Sequence, residues 1–591
     1  MENDKEIGLI LLVSIGFTLL YFLSFDHFEL YDELKYLVIA KEILQNSAPT
    51  YFNAVYYQHV PLFMYLISFT HIISGLDFYI SGKMLVIGLS FIFFISMYYF
   101  SKLFLPQKEA FFATVSSGVT YTIWITFNSI MIEGLLLPLS VIVSFFFIKT
   151  LQGKKYADIM TGISLGILFI TKETGLLFLP IIIIYWGYCN FEKLKELFLK
   201  SSLTASLKHF FPLVVICLIS FAIFSPYLWY RAANNSAELL GDSSSRAVFT
   251  GVATWDTQQS IATQPFHYFT SFFDYTNIIL GIFSLIGIIF FIKKTPINFL
   301  IFVSIMHLIA LSFFALKEFR FVIPIVPPLI ILGFLGLNVF SEKVSMFFQN
   351  SIKNFSKKVT IIGFILILTP SLAIAPSMFD PLDKSLHQAE IWDKLEEITQ
   401  KDELLFTYGI PYHMPYLYSD IYSDHLREEK TDYYSILNSS LLPFSSTGFL
   451  YCENKEKPPT NIDQNYFYVV EKIPFPENNS VCYYYRLKEG IIQYSTLKIK
   501  DESGNNIPFV RTFVSGKGFV MSNKNGEIFI YGEDGEYELS FEKVCFEKKQ
   551  IRLQIKNNEP YLCELNTCMP LTIVTLKRNN CFLHDIQYYR Y

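Results

Sequence analysis

Up to about residue 378 the chain is a succession of apolar runs separated by short polar breaks, and beyond that it changes to short alternating segments bounded by turn residues. A helix crossing ~30 Å of hydrocarbon needs about 20 apolar residues. Eleven runs are read as such spans, at about 7–25, 81–103, 109–127, 134–150, 157–171, 174–190, 210–230, 277–292, 297–316, 321–340 and 359–378. The first follows Asp4, Lys5 and Glu6 and ends at Ser24-Phe25-Asp26 with no small-residue cleavage site, so it reads as a span and not a secretion signal.

Between the first two spans lies a long polar-to-apolar loop, Asp26 to Ile80. In "YDELKYLVIAKEIL", Leu30, Leu34, Leu37 and Val38 recur at helical spacing, with Lys35, Lys41 and Glu42 elsewhere, the pattern of an interfacial helix. "HVPLFMYLISFTHII" is apolar for only about a dozen residues, which predicts a half-inserted or surface helix. From about residue 496, period-2 alternation between turn signals predicts a small β-sandwich. Asn525-Gly526 and Asp534-Gly535 are read as hairpin turns. The piece from 379 to 495 reads as α/β, with a helix near His387–Thr399. The expected domains are 1–378 in the membrane, 379–495 as an exterior α/β region and 496–591 as the sandwich.

Composition agrees with membrane embedding: 52% of the 591 residues are hydrophobic and 17% are charged. A net charge of −5 leaves nothing to favour nucleic acid. Orientation follows from the basic residues. With the N-terminus cytoplasmic, one side holds Lys5, Lys102, Lys108, Lys149, Lys154, Lys155, Lys193, Lys195, Lys200, Lys208, Lys293, Lys294, Lys343, Lys353, Lys357 and Lys358, sixteen in all. The other holds Lys35, Lys41, Lys172, Arg231, Arg246, Lys317 and Arg320, which is seven. This positive-inside bias places the C-terminal region outside. That region carries six of the eight cysteines (Cys452, Cys482, Cys545, Cys563, Cys568 and Cys581), so disulfides are expected ahead of zinc, and it has sequons at Asn438 and Asn478 besides Asn234 upstream.

The candidate chemistry sits on the exterior side. Asp32 and Glu33 open the first interfacial helix. They read either as a helix cap and dipole partner, or as a general base placed beside lipid. Glu133 falls in "NSIMIEGLLLPLS", Lys172 and Glu173 in "TKETGLLFLP", and Lys317, Glu318 and Arg320 in "LKEFRFVIPIVPPL". Singly these are span-end charges. Together, on the cation-poor side and costly near hydrocarbon, they suit an anionic lipid headgroup. His59 and His267 add further candidate contacts to phosphate or metal.

The order of these segments resembles the membrane glycosyltransferases of the dolichyl-phosphate-mannose protein mannosyltransferase and aminoarabinose transferase group, of GT-C fold, over roughly the first 340 residues. The resemblance implies an α-helical polytopic membrane protein that transfers a monosaccharide from a polyprenyl-phosphate donor to a hydroxyl of a protein or glycolipid acceptor on the exterior face of the cell membrane. It matches Asp32 to the acid that serves as catalytic base, with Glu33 beside it, and Glu133 to the second-loop acid. His59 matches the basic residue of a His/Lys-Pro-Pro-Leu motif near the lipid phosphate. Val60 replaces one proline of that motif, and Ser129 stands where the group usually has an arginine, leaving Lys172 and Arg320 as the remaining phosphate contacts. Metal use differs within the group; Glu33, Glu133 and His267 are the ligands such a divalent ion would take. A transporter or lipid flippase with an exterior binding domain is the competing reading, against which stand the absence of repeated halves and of midplane charge runs. A receptor needs no eleven-span anchor.

Overall fold

The computed structural model describes residues 2–24, 31–47, 49–51, 54–55, 60–191, 195, 203–234, 268, 272–312, 319–347, 355–374, 394–395, 397–399, 403–408, 423–425, 446–453, 467–475, 480–487, 494–507, 510–515, 518–522, 526–531, 535–542, 546–556, 559–564 and 567–577. The chain divides into two compact units. One comprises Met1–Asp26, Tyr57–Leu66 and Ile80–Pro381, the other His27–Tyr56, Ile67–Tyr79 and Leu382–Tyr591.

Every apolar run read from the sequence lies on a helix of the first unit. These are α1 (Glu2–Ser24), α4 (Phe78–Ser101), α5 (Gln107–Val119) with α6 (Tyr121–Phe127), α7 (Glu133–Leu151), α8 (Ala157–Phe169), α9 (Phe178–Cys189), α10 (Leu203–Asn234), α11 (Ile278–Phe291), α12 (Asn298–Ser312), α13 (Val326–Phe347) and α14 (Phe355–Ile374); α2 and α3 of the first loop are described below. Among the described residues five helices are long and apolar enough to cross a membrane, six counting the bent pair, and the others are shorter.

The run 109–127 is one span only in hydropathy: it breaks at Thr120, which adopts an extended backbone, and α5 and α6 meet at 64°. A broken helix in hydrocarbon must have its freed carbonyls satisfied. Tyr21 does so, its hydroxyl donating to Gly118 O at 2.8 Å, while its ring packs edge-on to Trp124 and against Phe94 and Phe127. A Cβ on Gly118 would lie 2.5 Å from the Phe17 ring, so a larger residue there would push that ring aside. A second close approach holds α11 to α13: a Cβ on Gly336 would sit 1.9 Å from Phe283 O, and one on Gly287 2.2 Å from Leu332 O. Small residues at such crossings let backbones touch where lipid offers no hydrophobic drive.

In the second unit, α2 (Tyr31–Asn46) carries Asp32 and Glu33 in its first turn. The expected one-sided amphipathic helix is corrected here. Tyr36, Ile39 and Ala40 are buried along with Leu34, Leu37 and Val38, and so are Glu33 and Glu42, each of which keeps an interaction partner. Burial therefore runs round most of the helix instead of along one face. Ser68 of α3 (Leu62–Ser74) donates to Ala40 O at 2.7 Å. Along α3, Phe63, Met64 and Ile67 are buried while Phe69, Ile72 and Ile73 are exposed, so the helix is apolar on both faces.

The C-terminal region opens with a five-stranded sheet in the order β2-β1-β3-β5-β4, from β1 (Glu403–Tyr408), β2 (Ser423–His425), β3 (Ser446–Glu453), β4 (Phe467–Phe475) and β5 (Ser480–Leu487). Cys482 is disulfide-bonded, and the residue opposite it in the β3–β5 register is Cys452. The sandwich follows. A three-stranded sheet has the order β9-β6-β14, from β6 (Tyr494–Asp501), β9 (Glu527–Tyr531) and β14 (Ile573–Leu576). A six-stranded sheet has the order β8-β7-β10-β11-β12-β13, from β7 (Arg511–Val514), β8 (Gly518–Met521), β10 (Gly535–Glu542), β11 (Lys549–Lys556), β12 (Glu559–Glu564) and β13 (Thr567–Pro570). Alternate residues fill the shared core: Leu497 and Ile499, Ile528 and Ile530, Leu539 and Phe541, Leu553 and Ile555, Val574 and Leu576.

Neither turn read as a hairpin connects paired strands. Asn525-Gly526 leads from β8 into β9, and Asp534-Gly535 from β9 into β10, and in both cases the two strands belong to different sheets. Gly526 does have positive φ (72°), so the turn chemistry is present. The chain uses it to change sheets, because both flanking strands present the same alternation to one core.

Candidate active site

Glu133 is the first residue of α7, where the helix dipole favours a carboxylate. Lys172 comes from the opposite direction. It follows the end of α8 in an extended conformation (φ −154°, ψ 146°), which throws its side chain off the helix before the 3₁₀ turn Glu173–Leu177 begins. The two meet: Lys172 Nζ donates to Glu133 Oε1, with the residues 4% and 1% exposed. Glu133 Oε2 is buried and has no hydrogen-bond partner.

A second 3₁₀ segment, Phe319–Ile325, packs against α6, α7 and α12 and supplies the rest. Lys172 Nζ lies 5.1 Å from the centroid of the Phe321 ring, and Arg320 Cζ lies 6.0 Å from the same ring. One aromatic ring thus stands beside two cations, and its quadrupole offsets part of their mutual repulsion. Arg320 also acts electrostatically on Glu133. Glu173, directly after Lys172, also has a buried carboxylate oxygen, so the two cations stand among carboxylates in surroundings where charge interactions are strong.

Three residues singled out in the sequence, Glu133, Lys172 and Arg320, are therefore brought together. Asp32 and Glu33 sit in the first turn of α2, in the other unit; Asp32 is half-buried, Glu33 is buried, and each keeps a partner. His59, His267, Lys317 and Glu318 lie outside the described residues, while Val60 is described and buried. Ser129 faces its own helix, donating to Ile125 O at 2.8 Å. Among the described residues no group of three His, Cys, Asp or Glu side chains is placed to hold a metal ion. Glu133 has one oxygen engaged by Lys172.

Sequence reasoning missed Phe321, although its place directly after Arg320 in "EFRFVIPI" was a usable signal. It also missed Lys83, buried inside α4 with its amine 5.1 Å from the Phe22 ring, because a lone cation disappears in a hydropathy window. His307 of α12 is a third: it is buried, with Nδ1 3.0 Å from Val303 O, Nε2 without a partner, and Phe178 at 4.7 Å.

No protein-family model matches the sequence, and no curated protein matches it. The architecture does match solved structures. ArnT from Cupriavidus metallidurans bound to undecaprenyl phosphate superposes with a TM-score of 0.54 at 12% identity, over 81% of this chain and 97% of that one. The Archaeoglobus fulgidus oligosaccharyltransferase in its apo form gives 0.53 at 10% identity, over 97% and 99%. The AglB oligosaccharyltransferase of the same organism, with an inhibitory peptide and a dolichol-phosphate, gives 0.51 at 10%, over 98% and 100%. The resemblance read from the sequence holds at the level of fold: the chain has the multi-pass GT-C membrane architecture with a C-terminal soluble region that ArnT and AglB share.

Proposed function

We propose that this protein transfers a monosaccharide from a polyprenyl-phosphate donor to a hydroxyl acceptor on the exterior face of the membrane. The observation that carries the reading is the buried Glu133–Lys172 pair with Arg320 beside the same Phe321 ring, two cations held together at the ends of apolar helices. That two proteins of the same fold are known with polyprenyl phosphates bound supports the donor class.

In the reaction the acceptor oxygen attacks the anomeric carbon of the donor sugar and gives its proton to Asp32. The bond from that carbon to the phosphate oxygen breaks, and its electron pair leaves with the polyprenyl phosphate. Lys172 and Arg320, with His59, stabilise the charge that develops there. Losing one such preorganised partner costs on the order of 100-fold in rate. Glu133, at the start of α7, holds Lys172 in place and shares it with the phosphate when donor is bound; Glu33 supports Asp32 from the same helical turn. The C-terminal region engages the acceptor.

The test is sugar transfer by the purified full-length chain from a polyprenyl-phosphate monosaccharide labelled in the sugar. Labelled glycosylated acceptor with stoichiometric release of polyprenyl phosphate is expected. Movement of intact donor across a vesicle membrane without cleavage of the sugar–phosphate bond would replace the reading with a flippase.

A further inference from the structure

At the end of the molecule that the basic residues assign to the cytoplasm, α9 and α12, with Ile292 just past the end of α11, line an open groove of about 260 Å³. This is smaller than the ~300–1,000 Å³ of pockets that enclose a whole small molecule, and suits a single hydrocarbon chain. Its walls include Tyr188, Ile292, Phe302 and Met306. Its polar element is the buried Tyr185–Asn298 pair, in which the tyrosine hydroxyl donates to Asn298 Oδ1 at 2.6 Å. From Asn298 to Met306 the groove follows α12 for about 12 Å at 1.5 Å per residue, a depth within the leaflet.

The mouth is basic. Ile292 lines the groove, and Lys293 and Lys294 follow it directly, both exposed; Lys294 Nζ lies 4.9 Å from the Phe291 ring. Neither has a carboxylate partner in the described structure, and no Asp or Glu occurs in the sequence between Asp274 and Glu318. An apolar slot at membrane depth with two unpaired cations at its rim matches an amphiphile with a hydrocarbon tail and an anionic head.

We infer that this groove is a binding site for an anionic glycerophospholipid of the inner leaflet, with one acyl chain against α9 and α12 and the phosphate on Lys293 and Lys294. The site is separate from the Glu133–Lys172–Arg320 cluster and does not depend on the function proposed for it.

The test is native mass spectrometry of the full-length chain purified in detergent with equal amounts of dioleoyl phosphatidylglycerol and dioleoyl phosphatidylcholine. Phosphatidylglycerol is expected to be retained in preference. Two lysines contributing about 1 kcal/mol each make the loss in Lys293→Gln/Lys294→Gln about thirtyfold in affinity. Lys154→Gln/Lys155→Gln, at another basic loop, is expected to leave retention unchanged. Ile305→Trp, which fills the groove and spares both lysines, is expected to abolish it. Equal retention of the two lipids, unchanged retention in either the Lys293/Lys294 or the Ile305 variant, or an equal loss in the Lys154/Lys155 variant would each overturn the assignment.

Discussion

Lys172 and Glu133, 39 residues apart in sequence, form an ion pair whose side chains are 5% and 2% exposed. Removing one partner strands a charge, at a typical cost of about 3–5 kcal/mol. Lys172→Met is expected to lower thermal stability markedly in detergent, and Glu133→Leu/Lys172→Met to recover most of it while remaining inactive in sugar transfer. Equal stability of wild-type and Lys172→Met protein would show that the pair does not hold α7 to the end of α8.

Asp32 lies half-buried in the first turn of α2, where asparagine keeps both shape and capping oxygen. Asp32→Asn is expected to fold and insert normally and to lose roughly 100- to 10,000-fold in transfer rate. Wild-type turnover in a folded Asp32→Asn protein would remove it from the chemistry.

The α11–α13 crossing tolerates no side chain at Gly336, because the nearest atom is a backbone carbonyl that cannot swing away. Gly336→Ala should cost ~1–3 kcal/mol or more through forced separation of the helices, seen as a lower melting temperature. Gly8→Ala, with nothing within 4 Å of the added carbon, serves as the control.

Tyr485, buried in β5 beside Tyr483, has its phenol pushed up to about 12, first by burial and then by the neighbouring tyrosine. The group is neutral when protonated, and its ordinary value is 10.0. As pH rises from about 10, the unfolded chain ionises before the folded one, so the stabilising contribution is present below 10 and is lost towards 12. Tyr485→Phe should flatten this part of the stability–pH curve. Urea melts followed by fluorescence at pH 9 to 12 measure it, and identical curves for the two proteins would exclude the buried phenol as the source.

Orientation can be read with a thiol reagent that does not cross membranes. In a Cys189→Ser/Cys217→Ser background, Lys155→Cys should be protected in intact cells and Asp77→Cys labelled, both positions being exposed. The reverse pattern would invert the positive-inside assignment and move the proposed chemistry to the other face.

Hydropathy alone determined much of this protein. In each apolar run between residues 7 and 378 the described residues are mostly helical, the short run 62–74 is a half-buried helix, and the alternation after residue 496 builds a sandwich. These are local properties, since a run of side chains states what solvent it tolerates, and the backbone in lipid has few ways to satisfy its own polar groups. What the runs pack against is not local. The break at Thr120 stands because Tyr21, 97 residues from Gly118, satisfies the exposed carbonyl. Glu42 is buried because packing supplied a partner, where the sequence pattern put it in solvent. Turns at Gly526 and Gly535 were visible, but which strands they join depended on two sheets sharing one core. Of the site, the Glu133, Lys172 and Arg320 that the structure brings together were all legible as charged residues at span ends. That Lys172 would close on Glu133, and that Phe321 would stand beside both cations, was decided by how α7, α8 and the 319–325 segment meet, because burial makes an unpaired charge too costly to leave where hydropathy alone would put it.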